Sequence, residues 1–197
     1  RVVFQPEFSE YNKQVDIPGY SKPNTGFNVT GKYAPGNIMK YSFKNEYRIN
    51  ASPDIIWDIL SDVESWPEIW KYFRTVQLRG NDKILKQNMT IDCEVRAVIP
   101  YTFRFNTEIV KLIQYKELEV ISRGDLNGRG IWTLDTVGKS TLSSFTWEVE
   151  PENIFIKILG YLPLGNSLLR YSHNIMMENG YRSLLALLEQ NKFPEPL

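Results

Sequence analysis

The chain has 197 residues and is therefore long enough to form one hydrophobic core. It carries 23 basic and 23 acidic side chains, so it has no net charge. A nucleic-acid-binding domain usually has a basic excess, and its absence argues against a nucleic-acid partner. The single cysteine, Cys93, excludes an intramolecular disulfide, and His173 is the only histidine, so a zinc site built from cysteine and histidine is excluded as well. No loop has the acidic spacing of a calcium site, and we expect neither a metal nor a cofactor.

We expect no transmembrane segment, because the sequence contains no apolar run of about 18 residues, the length that a membrane-spanning helix needs. A single cysteine fits a reducing compartment, and we therefore expect a cytoplasmic protein. The chain begins at Arg1, and whether a targeting segment precedes this residue is left open.

Residues 1–40 differ in composition from the rest of the chain. Prolines and glycines interrupt this stretch so often that neither a helical nor a strand period is maintained. Aromatic side chains are nevertheless frequent in it, which is unusual for a flexible tail. We predict an irregular N-terminal arm that packs on a folded domain at residues 41–192.

Regular secondary structure is predicted next along the chain. Apolar and polar residues alternate over 41–49, as in a half-buried strand, and Asn45 is the one polar residue in the apolar register. Ser52 followed by Pro53 is typical of a helix N-cap and first turn. A second short helix is predicted at residues 66–73.

A series of strands follows and ends in a long helix. The clearest alternation covers residues 101–109, and short connections around it favour an antiparallel sheet. The other strands expected in this series contain residues 91–95, 118–122, 132–134 and 145–149. Beyond an apolar stretch at 154–164, apolar residues at helical spacing predict a C-terminal helix over about 168–190.

This order of elements resembles the helix-grip fold of the START-like SRPBCC superfamily. The segment INASPDIIWDILSDVESWPEIW (49–70) resembles the opening of this superfamily. Four later segments resemble its bacterial polyketide cyclase/dehydrase-like subgroup and follow the same order: PYTFRF (100–105), LNGRGIWTL (126–134), FTWEV (145–149) and SHNIMMENGYRSLLALL (172–188). The resemblance covers roughly residues 43–190. It implies an α+β fold in which a curved antiparallel sheet wraps around the long C-terminal helix and leaves a cavity between them.

The wall of the implied cavity would consist of alternating apolar positions of the strands and one face of the helix. Flat aromatic rings on this wall suit contact with an acyl, prenyl or polycyclic ligand, although packing of the rings on one another explains the same pattern. The candidate ligand-binding residues are Trp70, Phe73, Ile91, Cys93, Val95, Tyr101, Phe103, Phe105, Ser122, Trp132, Trp147, Met177 and Tyr181.

His173 is the candidate catalytic residue. It lies on the apolar face of the predicted C-terminal helix, where a neutral imidazole could donate a hydrogen bond to a ligand or transfer a proton. The simpler interpretation, which we prefer, is a buried histidine paired with a strand carbonyl or a neighbouring side chain. The inner register is expected to contain Tyr101, Ser122, Thr107 and Cys93, but the sequence places no second catalytic group clearly beside His173.

Two further patterns have structural explanations. The arginines that alternate with apolar neighbours are expected on the outer face of the sheet; they are Arg96, Arg104 and Arg123. A cluster of glycines lies between predicted strands rather than before a helix, so turn or bulge geometry is favoured over a phosphate loop; the cluster consists of Gly124, Gly128 and Gly130.

The apolar stretch 154–164 contains Lys157 as its one charged residue. Ordinary packing explains such a stretch best, a gate of the cavity is the second interpretation, and transient contact with a membrane is a further one.

We predict that the protein binds an apolar small molecule (a lipid, an isoprenoid or a polyketide-like compound) in the cavity, because no catalytic constellation is apparent. The alternative is a cyclase or dehydrase acting on a polyketide-like or other hydrophobic substrate in the same cavity, largely by folding the substrate into a reactive shape. A third hypothesis, an interaction module that uses the arm and residues 154–164, has the least support.

Overall fold

The computed structural model describes residues 24–30, 40–80, 84–96, 98–162 and 164–190. The strands in these ranges are β1 (Asn24–Thr30), β2 (Lys40–Ile49), β3 (Phe73–Leu78), β4 (Thr90–Arg96), β5 (Thr102–Ile113), β6 (Glu117–Gly124), β7 (Leu126–Val137) and β8 (Ser140–Pro151). The helices are α1 (Pro53–Ser61), α2 (Trp66–Ile69), α3 (Ile154–Tyr161) and α4 (Gly165–Gln190), and a short 3₁₀ turn at Val63–Ser65 precedes α2.

The strands form one antiparallel sheet in the order β1-β2-β8-β7-β6-β5-β4-β3. Strands β3 to β8 follow one another as a meander, whereas β2 pairs with β8, so the chain passes from one side of the sheet to the other through α1 and α2. The sheet is curved and unclosed, and α4 lies against its inner face. The predicted α+β helix-grip architecture is confirmed.

Burial alternates along β2, because successive side chains of a strand point to opposite faces of the sheet. The inward-facing residues Tyr41, Phe43, Asn45, Tyr47 and Ile49 are all 6% exposed or less. The strand predicted from this alternation is confirmed, and its one inward polar residue is fully buried with its apolar neighbours.

Helix α4 begins at Gly165, earlier than predicted, and ends at Gln190. At about 1.5 Å per residue it is long enough to cross the sheet. Its main ring contacts are with β2, where His173 stacks on Phe43 with the ring centroids 3.9 Å apart and Tyr181 stacks on Tyr47 at 4.4 Å. Within the described ranges, no helix is long and apolar enough to cross a membrane.

The second short helix ends earlier than predicted. Trp70 has an extended conformation (φ −112°, ψ 103°), so α2 stops at Ile69 and the chain enters β3 at Phe73. Trp66 and Trp70 nevertheless pack edge to face, with their ring centroids 5.2 Å apart. This ring pair therefore joins the first residue of α2 to the residue that follows the helix.

Part of the N-terminal arm is a strand. β1 pairs antiparallel with β2, with Phe27 opposite Phe43, so the prediction of an irregular segment is wrong for residues 24–30. The local sequence has no clear alternation there, and the free hydrogen-bonding edge of β2 provides the pairing that makes a strand favourable. The rest of the predicted arm lies outside the described residues.

Helix α3 occupies most of the apolar stretch 154–164. Its N-cap is Asn153, whose Oδ1 accepts a hydrogen bond from the backbone N–H of Phe155 at 2.8 Å. Ile156 is buried, whereas Ile154 and Ile158 are 69% and 55% exposed. Packing, the preferred interpretation, therefore explains only one side of this helix.

The outer face of the sheet carries ion pairs between neighbouring strands. Arg104 contacts Glu94 at 2.6 Å and Arg123 contacts Glu108 at 2.9 Å, and Arg96 is also exposed. The prediction that these arginines point away from the interior is confirmed.

The glycine cluster has two structural roles. Gly124 has φ +131° at the turn between β6 and β7, a conformation that favours glycine. Gly128 lies within β7, where a Cβ atom would come within 2.1 Å of the carbonyl oxygen of Glu148 on β8. Turn geometry is confirmed at Gly124, and close approach of two backbones explains Gly128.

Candidate functional site

A cavity of about 260 Å³ lies between the inner face of the sheet and α4. Side chains from β2 to β8, from α3 and α4 and from the segment around α2 contribute to its wall. Aromatic and aliphatic groups dominate, and the described residues that line the cavity include no Asp, Glu, Lys or Arg. The wall is therefore suited to an apolar occupant.

The structure places most of the predicted ligand-binding residues on this wall, although their contact with a ligand remains a prediction. Those on the wall are Trp70, Phe73, Ile91, Cys93, Val95, Phe103, Phe105, Ser122, Trp132, Trp147, Met177 and Tyr181. The candidate catalytic residue His173 lines the cavity as well.

Tyr101 is the one candidate ligand-binding residue that does not line this cavity. Its backbone N–H donates to the carbonyl of Ile99 at 2.7 Å in a turn before β5, so Tyr101 does not follow the alternation of that strand. Its hydroxyl donates to Oδ2 of Asp125 at 3.0 Å and accepts from Nδ2 of Asn153 at 2.7 Å. Burial and the hydrogen bond to Asp125 raise the pKa of Tyr101. The residue thus connects β5, the β6–β7 turn and the N-terminus of α3.

Strand β2 contributes residues to the cavity that are not among the candidate ligand-binding residues. Tyr41, Phe43, Tyr47 and Ile49 all line it. Their alternation was recognised, but a local pattern does not reveal that β2 pairs with β8 and lies directly beneath α4. The signal available was Asn45, a polar residue in the inner register, which indicated a partner inside the fold.

His173 is fixed in position by β2 and β8. Its ring stacks on Phe43 and lies 6.0 Å from the ring of Trp147, centroid to centroid. Its Nε2 is 2.9 Å from Oδ1 of Asn45. An amide oxygen only accepts hydrogen bonds, so Nε2 carries the hydrogen and donates it. The preferred interpretation, a buried histidine paired with a neighbouring side chain, is confirmed.

The imidazole of His173 is neutral near pH 7, because burial lowers its pKa to about 3. In this neutral tautomer the hydrogen is on Nε2, and Nδ1 has a lone pair that can only accept. No described residue donates a hydrogen bond to Nδ1. His173 therefore brings one unpaired acceptor to the cavity.

Asn45 is not satisfied by this single hydrogen bond. Its Nδ2 has no hydrogen-bond partner among the described residues, although the side chain is 1% exposed. A buried polar group without a partner costs about 1–3 kcal/mol. The contribution of Asn45 that is visible in the structure is to orient the imidazole and to set its tautomer.

Two pairs of polar groups on the wall are hydrogen-bonded within the protein. The hydroxyls of Thr107 and Ser122 are 3.2 Å apart on the neighbouring strands β5 and β6. The indole N–H of Trp132 donates to Oγ of Ser143 at 2.7 Å. These groups interrupt an apolar wall without placing a charge on it.

Cys93 lines the cavity but is not an activated nucleophile. Burial, followed by the negative charge of the neighbouring Asp92, raises the pKa of the Cys93 thiol to about 12. The reactive thiolate is therefore scarce near neutral pH.

Gly180 allows close packing at one end of the cavity. A Cβ atom at this position of α4 would lie 1.2 Å from Nε1 of Trp70. Both residues line the cavity, so the missing side chain of Gly180 determines where the indole of Trp70 can lie.

Solved structures of low sequence identity have the same fold. The Zhui aromatase/cyclase from Streptomyces sp. R1128 is 14% identical with a TM-score of 0.62, over 78% of this chain and 96% of that chain. A START superfamily protein from Mycobacterium smegmatis is 17% identical with a TM-score of 0.58, over 76% and 97%. The di-domain ARO/CYC StfQ from the steffimycin biosynthetic pathway is 12% identical with a TM-score of 0.62, over 78% of this chain and 52% of that one. At these identities the similarity concerns the fold alone.

Among curated proteins, no sequence match to this chain was found. The family model described as polyketide cyclase / dehydrase and lipid transport matches residues 40–168. This range includes β2 to β8 and reaches the first turn of α4, and it contains most of the cavity wall. The chain therefore belongs to the polyketide cyclase/dehydrase and lipid transport family of START-like proteins.

Proposed function

We propose that this protein binds an apolar small molecule, such as a lipid, an isoprenoid or a polyketide-like compound, in the cavity between the sheet and α4. The observation that supports the proposal is the chemistry of the wall, whose described residues include no charged side chain. A charged ligand would lose its hydration there without compensation. An apolar ligand would gain about 25 cal/mol for each Å² of apolar surface removed from water.

The volume of the cavity supports the same proposal. Cavities created by substitution cost about 24 cal/mol for each Å³ left empty, so a dry cavity of this size would be unfavourable by several kcal/mol. At about 260 Å³ the cavity is slightly smaller than the pockets that typically hold drug-sized molecules. A compact ligand, or part of a longer one, fits this volume.

An enzyme of the cyclase or dehydrase type is the second candidate. It is favoured by one observation, the neutral imidazole of His173 on the wall with Nδ1 available to a substrate. A group with a pKa of about 3 is a weak base near pH 7. The other ionisable candidate, the thiol of Cys93, is held in its protonated form. Binding without chemical change is therefore the first candidate.

Native mass spectrometry of the purified protein, followed by organic extraction, tests the proposal. We expect an apolar compound bound in a one-to-one ratio and released unchanged. A protein that is empty and binds no apolar dye would contradict binding. Conversion of the extracted compound by fresh protein would favour the enzyme instead.

A matched pair of variants on β6 locates the binding site. Ser122 points into the cavity and is 3% exposed, whereas Arg123 lies on the outer face. We expect Ser122→Phe to weaken binding of an apolar dye by about tenfold or more, a loss of about 1.4 kcal/mol, by filling the cavity. Arg123→Phe should leave the affinity unchanged. Equal effects of the two variants would place the dye outside the cavity.

A further inference from the structure

We propose that the ligand carries a hydroxyl or another hydrogen-bond donor, and that Nδ1 of His173 accepts this hydrogen bond inside the cavity. The inference rests on the proposed function and adds a chemical requirement to it. The ligand is then an apolar compound with a donor at a defined position, and a pure hydrocarbon of the same shape binds less well.

The geometry of the imidazole supports this inference. Stacking on Phe43 and the hydrogen bond from Nε2 to Asn45 hold the ring in one orientation. Nε2 is engaged by the protein, and no described residue donates to Nδ1 of this cavity-lining side chain. The nitrogen that remains available is therefore the one that a ligand can reach.

The direction of the hydrogen bond between His173 and Asn45 determines what Nδ1 can bind. Asn45 Oδ1 accepts from Nε2, which leaves Nδ1 with a lone pair and no hydrogen. A ligand carbonyl or ether oxygen, which also offers only lone pairs, gains nothing from such a group. A ligand O–H or N–H gains a hydrogen bond where water is excluded.

The pair formed by His173 and Asn45 is costly for the stability of the fold. An aromatic residue at position 173 with an aliphatic one at position 45 would fill the same space without burying polar atoms. The chain instead buries an imidazole that has a depressed pKa and an amide whose Nδ2 lacks a partner among the described residues. Such a pair lowers stability, and recognition of a donor is a function that an apolar pair could not perform.

The sequence makes a direct test feasible, because His173 is the only histidine. In ¹⁵N-labelled protein, a long-range ¹H–¹⁵N correlation spectrum shows this one imidazole without assignment. We expect a protonated Nε2 and an unprotonated Nδ1 near pH 7. We expect the Nδ1 resonance to shift when β-naphthol is added and to shift much less with its methyl ether. A hydrogen found on Nδ1 would overturn the proposal.

Binding of a matched series provides the second test. The three compounds share an apolar naphthalene ring system. β-Naphthol has a hydrogen-bond donor, whereas its methyl ether and acetylnaphthalene have only acceptors. Wild-type protein should bind β-naphthol about tenfold more tightly than the methyl ether, the effect of about 1.4 kcal/mol that one hydrogen bond can supply. His173→Phe should abolish this preference while it retains affinity for the methyl ether.

A control variant and the remaining outcomes separate this proposal from the one on which it rests. Ser144→Ala removes a hydroxyl that does not line the cavity and should preserve the preference for β-naphthol. Three outcomes would overturn donor recognition and leave apolar binding intact. The wild type could bind β-naphthol and its methyl ether equally well, the preference for β-naphthol could persist in His173→Phe, or acetylnaphthalene could bind more tightly than β-naphthol. Failure of all three compounds to bind would contradict both proposals.

Discussion

Nε2 of His173 on α4 lies 2.9 Å from Oδ1 of Asn45 on β2, although 128 positions separate the two residues in the sequence. The hydrogen bond joins the C-terminal helix to the sheet at a buried point, where His173 also stacks on Phe43. Because its surroundings are apolar, the imidazole resists protonation as long as the protein is folded. The pair therefore affects both the position of α4 and the response of the protein to acid.

We expect the free energy of unfolding to decrease as the pH falls from about 6.5 towards 3. The unfolded chain takes up a proton at His173 near its ordinary pKa of 6.5, whereas burial lowers the pKa in the folded protein to about 3. Acid therefore favours the unfolded state, by up to about 1.4 kcal/mol for each pH unit in this window. Above pH 6.5 this stability is fully present. Urea unfolding at a series of pH values measures the effect.

His173→Phe provides the control for the pH dependence. Carboxylates also titrate in this window, so the informative quantity is the difference between the wild-type and variant profiles. We expect the variant to have the shallower slope, whatever its stability near pH 7. Parallel profiles would show that His173 is protonated equally easily in the folded and unfolded states.

Gly180→Ala should destabilise the protein. Within a helix this substitution normally stabilises by roughly 0.5–1 kcal/mol, because alanine restricts the unfolded chain more than glycine does. Here the new Cβ would lie 1.2 Å from Nε1 of Trp70, and displacement of the indole should cost about 1–3 kcal/mol. Thermal and urea unfolding measure whether the variant is less stable than the wild type. If Gly180→Ala costs less stability in a Trp70→Phe background, the cost comes from the indole of Trp70. If Gly180→Ala alone stabilises the protein, Gly180 and Trp70 do not pack as closely as described.

Local periodicity was sufficient to predict β2, the strands β4 to β8 and the long helix. The alternation in β2, β4 and β5 reflects burial of one face, and the spacing of His173, Gly180 and Leu184 reflects the face of α4 that meets the sheet. Because these inner positions also surround the cavity, most of the candidate wall residues followed from the same pattern.

Features that depend on contacts between distant segments could not be predicted in this way. β1 forms because β2 offers a free edge, and its own sequence contains no strand period. Tyr101 seemed to continue the alternation of β5, but a backbone hydrogen bond to Ile99 turns it out of the strand and towards Asp125. The hydrogen bond between Asn45 and His173 required the order of the sheet, which no local pattern contains.

Cys93 should react slowly with a thiol reagent in the folded protein. Its pKa rises from 9.0 to about 12, which reduces the thiolate fraction about a thousandfold near neutral pH. As the only cysteine of the chain, it gives an unambiguous signal with Ellman's reagent. We expect a large increase in rate in denaturant and a further decrease when a cavity ligand is bound. A native rate equal to the unfolded rate would contradict the burial of this side chain.

Tyr101→Phe should loosen α3 without weakening ligand binding. The Tyr101 hydroxyl donates to Asp125 and accepts from Asn153, the N-cap residue of α3. Its removal leaves Nδ2 of Asn153 without this partner and should cost about 1 kcal/mol of stability. Hydrogen exchange should become faster in α3, while amides in the centre of β5 remain protected, because their ladder to β4 and β6 is unchanged.

Tyr171→Phe is the matched control for this prediction. Tyr171 is an exposed tyrosine on α4, so loss of its hydroxyl should change neither stability nor exchange in α3. Because Tyr101 lies off the cavity wall, both variants should bind an apolar dye as the wild type does. A clear loss of affinity in Tyr101→Phe with unchanged exchange in α3 would restore Tyr101 to the ligand site. Faster exchange with unchanged affinity would show that its hydroxyl holds the start of α3 against the turn between β6 and β7.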